Sequence, residues 1–260
     1  MHNFELHKPG SVADAAAALG SDEAMLLGGG QTLIPTMKQR LNAPATLVST
    51  AGISDMQGIS ADGGVLTIGG ATTHAAVAAG AGAYPGLAAL AGQIGDPAVR
   101  NRGTIGGSLA NNDPAACYPA GALGSGATIV TNAREIAADD YFTGMFDTAL
   151  NEGEIITAVR FPIPEASNYA KFLQPASRFA LTGVFVAKYA DGVRVAVTGA
   201  SEGGVFRWAE AEAALSANFS ADAVPDAPGA DGMISDLHGT AAYRAHLVAV
   251  MTKRAVNAAS

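Results

Sequence analysis

Two glycine-rich segments, each set among short apolar runs, constrain this chain more than any other feature of its sequence. In the first, Leu26-Leu27-Gly28-Gly29-Gly30-Gln31-Thr32-Leu33, the apolar residues 24–27 read as a strand and residues 33–40 as a helix. Pro35 is tolerated in the first turn of that helix, and Thr32 takes the N-cap position. A chain that passes from strand through glycines into a helix turns successive backbone N–H groups outward at the positive end of the helix dipole, a geometry that holds phosphate. The spacing is not GxGxxG, because Leu33 follows where a third glycine is needed, and no GK[ST] ending of a P-loop is present. Three glycines alone are equally satisfied by a tight turn with no ligand.

The second segment is Arg102-Gly103-Thr104-Ile105-Gly106-Gly107-Ser108-Leu109-Ala110-Asn111-Asn112-Asp113-Pro114. Gly106 and Gly107 permit close backbone approach, while Thr104, Ser108, Asn111 and Asn112 offer neutral polar groups suited to pyrophosphate and ribityl hydroxyls. Asp113-Pro114 reads as an N-cap followed by a proline at the first helical position, opening a helix over 115–123. Taken by itself this segment also reads as a plain loop. Two such loops in separate small α/β units fit a diphosphate held between them, and a dinucleotide better than a mononucleotide.

Around these loops the pattern is that of short α/β units, with a helix over 14–19, strands over 47–50 and 65–68, a cap at Thr72 or Thr73 with a helix to 79, and a β-branched run over 127–131. Phe161-Pro162-Ile163-Pro164 disfavours both helix and central strand and marks a domain boundary. Beyond it, runs over 184–190 and 193–198 flank Asp191-Gly192, a hairpin signal, and helices are expected over 209–215 and 241–256 with a loop over 220–232. The expected units are 1–57, 58–164 and 165–260.

Composition narrows the function. With 260 residues, 49% of them hydrophobic, the chain can bury one large core or several small ones. A net charge of −8 repels nucleic acid and anionic lipid. No apolar stretch approaches the roughly 20 residues of a membrane span, and no secretory leader is evident, so the expected compartment is the cytoplasm. Cys117, the single cysteine, excludes an internal disulfide and an iron–sulfur cluster held by this chain alone. The five histidines show no metal-binding spacing, and neither a Ser/His/Asp set nor a carboxylate pair stands out, so no catalytic residue is assigned and no metal is expected.

The spelling and order of the motifs resemble a known family. Gly28-Gly29-Gly30-Gln31-Thr32-Leu33-Ile34-Pro35-Thr36-Met37-Lys38 is similar to the AGGxSLxPxMK segment of the FAD-binding medium subunit of aerobic carbon monoxide dehydrogenase, a relative of the corresponding part of xanthine dehydrogenase. Thr104-Ile105-Gly106-Gly107-Ser108 followed by Ala110-Asn111-Asn112-Asp113-Pro114 resembles its second segment, and Ile68-Gly69-Gly70-Ala71-Thr72-Thr73-His74 and Glu154-Ile155-Ile156-Thr157 extend the likeness. The resemblance implies an α+β chain: an FAD-binding fold of two α/β subdomains, of the vanillyl-alcohol-oxidase type, followed by a C-terminal α+β domain. It implies that Gly28, Gly29, Gly30, Gln31, Thr32, Thr104, Ile105, Gly106, Gly107 and Ser108 contact the FAD pyrophosphate and that Asp113 shapes the second loop. Phe179 falls where the family often has a tyrosine beside the flavin ring, although Ser177-Arg178 stands where Gly-Asp is common, and Phe179 also reads as ordinary core packing. Cys117 replaces an aspartate, and a small buried residue packing inward is the favoured reading.

The implied function is an oxidoreductase subunit that takes electrons from the [2Fe–2S] clusters of a small partner subunit, themselves fed by a large molybdopterin-binding subunit, and passes them to an external acceptor. A heterohexamer with two copies of each subunit is implied. Arg100, Asn101 and Arg102 form a basic turn that suits the iron–sulfur partner or simply solvent. A self-contained FAD-dependent oxidase and a non-enzymatic phosphate-binding module remain as alternatives.

Overall fold

The computed structural model describes residues 1–21 and 23–260, whose strands gather into three main sheets. The first is parallel, in the order β1-β3-β2, and is built from β1 (Glu5–His7), α1 (Val12–Leu19), β2 (Ala24–Leu27), α2 (Leu33–Lys38) and β3 (Thr46–Ser49). Helix α1 starts earlier than expected because Ser11 Oγ accepts from Asp14 N and caps it. Thr32 holds the cap position of α2 but its side chain makes no capping bond, since its backbone is already close to helical at φ −105°, ψ −52°.

The second sheet is antiparallel, in the order β4-β5-β10-β6-β7. Its chain runs β4 (Ile59–Asp62), β5 (Val65–Gly69), α3 (His74–Gly80), α4 (Pro85–Gly92), α5 (Pro97–Arg100), α6 (Ile105–Asn111), α7 (Cys117–Ser125), β6 (Thr128–Thr131), β7 (Glu135–Ala137), α8 (Ala138–Tyr141), the small hairpin β8 (Phe142–Gly144) and β9 (Asp147–Thr148), then β10 (Ile156–Pro162). Three expectations are corrected here. The second glycine segment is helix α6 rather than an open loop, because Thr104 Oγ1 accepts from Gly107 N at 3.2 Å and caps it. Asp113-Pro114 does not open α7: Asp113 Oδ1 accepts from Ala115 N at 2.8 Å to close a turn, and the helix begins at Cys117 after the extended Ala116. Pro162 lies in the central strand β10, tolerated because it is the last residue, paired with Val65.

The third sheet, β11-β12-β13-β14, is an antiparallel meander of β11 (Ala166–Leu173), β12 (Ala180–Tyr189), β13 (Gly192–Thr198) and β14 (Phe206–Arg207), followed by α9 (Ala209–Ala217) and α10 (Ala241–Asn257). Tyr189 pairs with Gly192, so the hairpin turn is Ala190-Asp191, one residue earlier than expected. The first eight residues of β12 are all buried, because both faces of this sheet are covered. On one side Trp208, Val248 and Met251 of the C-terminal helical layer pack against Val184, Val186 and Val195. On the other lies α7, whose nine residues are all buried, with Phe185 and Ala196 joining a core that reaches Ile68, Val159 and Phe161 of the second sheet. A helix buried on every side needs small and apolar residues all round. Here Gly124 lets it close onto the sheet, since a Cβ there would stand 3.0 Å from Phe185 Cδ1.

Candidate functional site

The β2–α2 loop and the start of α6 line one cleft of about 550 Å³, together with residues of the β11–β12 turn. The contact between the two glycine segments is tight. A Cβ on Gly28 would sit 2.9 Å from Thr104 Oγ1, and one on Gly29 would fall inside the Arg102 carbonyl. Gly30 has φ +71°, a left-handed conformation that a side chain disfavours.

Eleven of the twelve residues singled out from sequence line this cleft: Gly28, Gly29, Gly30, Gln31, Thr32, Thr104, Gly106, Gly107, Ser108, Asp113 and Phe179. Ile105 is not among them. As the first residue of α6 it points into the core, fully buried, and its N–H is spent on Thr72 O at 3.1 Å. Asn112 also turns away, adopting φ +40° and donating through Nδ2 to Gly144 O and Asp147 O, both at 2.8 Å, whereas Asn111 remains on the cleft wall.

The two segments are not equivalent donors. Among the described residues the backbone N–H groups of Gly29, Gly30, Gln31 and Thr32 meet no protein acceptor, so they are free for an anion. In α6 every such group is used: Gly106 N donates to Gly70 O, Gly107 N to Thr104 Oγ1 and Ser108 N to Thr104 O. The first segment therefore offers a backbone cradle, and the second offers hydroxyls and a glycine floor.

The turn between β11 and β12 also lines the cleft. Gln174 Oε1 accepts from Ala176 N at 2.6 Å and Ser177 N at 3.0 Å, and Arg178 sits at φ +63°, which swings Phe179 out to 48% exposure on the cleft. Phe179 is thus an exposed wall residue and not core packing.

Five titratable side chains that composition and spacing did not single out as ligands also line the cleft: His74, Cys117, Glu154, Lys171 and Arg178. His74 is buried, with its ring 5.3 Å from that of Tyr118 and its Nδ1 without a hydrogen-bond partner. Burial, and secondarily the nearby Arg100 cation, push its pKa down to about 4, so the imidazole is neutral near pH 7. Glu154 accepts from Thr131 Oγ1, Asn151 N and the Arg134 guanidinium, and the Arg134 bond above all holds its pKa at about 2. Burial raises Asp113. The position of His74, directly after the cap Thr73, was a usable sign, because a polar ring opening an alanine-rich helix has a fixed direction. Lys171 had none, lying in a strand with ordinary alternation. Of the basic turn, Arg100 Nη1 is occupied with Ile94 O at 3.0 Å and Gly95 O at 3.2 Å, leaving Asn101 and Arg102 exposed.

An amide cradle, a glycine floor and an exposed aromatic turn in one cleft suit a ligand with both a diphosphate and a flat ring. Residues 2–164 match the family model described as the FAD binding domain in molybdopterin dehydrogenase. The chain belongs to this family, the FAD-binding subunits of the molybdenum hydroxylases. It is 34% identical to the carbon monoxide dehydrogenase medium chain of Afipia carboxidovorans, over 99% of this chain and 96% of that one. It is 35% identical to the nicotine 6-hydroxylase medium subunit of Paenarthrobacter nicotinovorans, over 95% and 94%. The solved structure of reconstituted CO dehydrogenase from Oligotropha carboxidovorans superposes with a TM-score of 0.87 at 31% identity, covering 98% of this chain and 97% of that one. The α+β fold, the FAD cofactor and the standing of the chain as an oxidoreductase component follow, with the molybdenum chemistry residing in other subunits.

Proposed function

We propose that this chain is the electron-transfer subunit of a molybdenum hydroxylase complex, taking electrons from the [2Fe–2S] clusters of a small partner subunit and delivering them to an external acceptor. FAD, when bound, supplies the interchange between one- and two-electron transfer. The chain's own residues bind and orient it. The Gly29–Thr32 amides hold the pyrophosphate, Thr104 and Ser108 add hydroxyls, Gly106 and Gly107 leave room for it, Asp113 fixes the turn after α6, and Phe179 packs on the flavin ring. The observation that carries this reading is the joining, in one cleft, of the free amide cradle and the exposed aromatic turn.

In this reading the units 1–57, 58–164 and 165–260 supply the cradle, the floor and the aromatic turn respectively. The large molybdopterin-binding subunit completes a cytoplasmic heterohexamer with two copies of each chain. Relatives named for carbon monoxide and for nicotine are equally similar to this chain, at 34% and 35% identity, so the oxidised substrate is selected in the large subunit and not here.

The test is purification of the chain with its co-expressed neighbours, followed by heat release of the cofactor. Adenine-containing FAD and co-purifying iron–sulfur and molybdopterin chains are expected. Release of FMN would overturn the dinucleotide assignment, and rapid substrate oxidation by the isolated chain would instead make it a self-contained oxidase.

A further inference from the structure

One cation ties the Phe179 turn to the cleft wall. Lys171, on β11, donates from Nζ to Gln93 O at 2.7 Å and to Arg178 O at 2.9 Å, and stands 3.6 Å from Cys117 Sγ. Lys171, Cys117, Arg178 and Phe179 all line the cleft. The two carbonyls carry no net charge, and a thiol sulfur is a weak acceptor. Among the described residues Lys171, like Arg100, is held by carbonyls and forms no ion pair, whereas Arg134, Arg160, Lys188, Arg194, Arg207 and Arg244 each have a carboxylate partner. A half-buried ammonium held only by neutral acceptors leaves its positive charge uncompensated on the cleft wall. Bound pyrophosphate does not compensate it, because Lys171 is fastened to the Phe179 turn and the free amides belong to the β2–α2 loop.

We propose that Lys171 is the counter-charge for the reduced flavin, stabilising the negative charge that reduction places on the ring beside Phe179. The inference rests on the FAD reading above. A neutral oxidised flavin that gains two electrons and one proton becomes singly negative. In the complex the electrons come from the reduced iron–sulfur partner, in the test from dithionite, and the proton from solvent. A fixed ammonium favours that product over the neutral oxidised ring and so raises the reduction potential. Lys171 thereby acts on the electronics of the cofactor as well as on the position of the Phe179 turn.

The experiment is a redox titration of the flavin absorbance in the FAD-loaded protein, purified with whatever chains accompany it. Lys171→Met is expected to weaken binding of reduced relative to oxidised FAD by about tenfold, which lowers the two-electron potential by about 30 mV. Lys171→Arg keeps the charge and should recover part of that shift. Lys171→Gln keeps an N–H donor facing the Gln93 and Arg178 carbonyls but removes the charge, and it should lower the potential as Lys171→Met does. A role confined to bracing the turn predicts no shift in Lys171→Gln. Unchanged potential in the variants that retain flavin overturns the proposal. So does loss of oxidised FAD from Lys171→Met and Lys171→Gln alike, since the charge is needed only by the reduced ring. Absence of FAD from the parent protein would instead refute the functional reading beneath it.

Discussion

Gly107 and Gly29 look alike in sequence and do different work. Gly107 is open to the cleft, has ordinary helical backbone, and would bring a Cβ only to Thr104 Oγ1 at 3.0 Å. Gly107→Val is therefore expected to fold and to lose most of its FAD, read as the ratio of flavin to protein absorbance. Gly29→Ala forces a Cβ into the Arg102 carbonyl, so the two loops must separate and both flavin content and thermal stability should fall. Normal flavin occupancy in Gly107→Val would show that α6 does not line the cofactor. His74 gives a pH signature. Its folded pKa of about 4 lies below the unfolded value near 6.5, so the unfolded chain binds the extra proton between those limits. The stability that neutral His74 contributes is present above about pH 6.5 and lost as pH falls toward 4, on the order of 3 kcal/mol over the window. His74→Phe should flatten the urea midpoint across that window. An unchanged slope would place the acid sensitivity elsewhere.

Among the elements, α7 is the one whose sequence and environment are most tightly matched. Its run Cys-Tyr-Pro-Ala-Gly-Ala-Leu-Gly-Ser is buried throughout, wedged against α4 and the β12–β13 face. Ser125 Oγ lies 2.6 Å from Tyr84 Oη, and Tyr189 Oη donates to Ser125 O at 3.0 Å, so the helix end is hydrogen-bonded into both neighbours. Gly124→Val would push a branched side chain into Phe185 and Ala196 and should destabilise by about 1–3 kcal/mol in chemical denaturation. A neutral effect would mean that the sheet can retreat from the helix. The corrections at α6 and α7 have one cause. Glycines and an Asp-Pro pair signal a change of direction without saying which side chain closes it, and in both cases a hydroxyl or carboxylate three or fewer residues from its N–H partner decided the matter.

For the whole molecule the cleft is a seam. Its lining comes from the β2–α2 loop, from α6, and from the β11–β12 turn, so a ligand there bridges all three sheets. Free FAD at about 100 times its dissociation constant should then stabilise the fold by about 2.7 kcal/mol and raise the midpoint of a single unfolding transition. Adenosine diphosphate, which lacks the flavin ring proposed to pack on Phe179, should give less. Equal shifts for both would separate the aromatic turn from the binding site.

The sequence by itself determined the strand, glycine turn and helix of the β2–α2 unit. The apolar run before Gly28-Gly29-Gly30 and the helix after it fix a local turn whose free amides need no distant partner, and the spelling of both glycine segments was enough to indicate FAD. Strand and helix positions followed wherever the period of apolar residues was local, as in β2, β13 and α10. What tertiary structure decided was direction and pairing: that Ile105 faces the core, that the α6 amides are already taken, that Asn112 clamps a hairpin, and that Lys171 reaches Gln93, Cys117 and the Phe179 turn. Those partners lie as many as 78 residues apart, so no local pattern encodes them. They exist only because the third sheet packs onto α4 and α7 and brings β11 to the edge of the cleft.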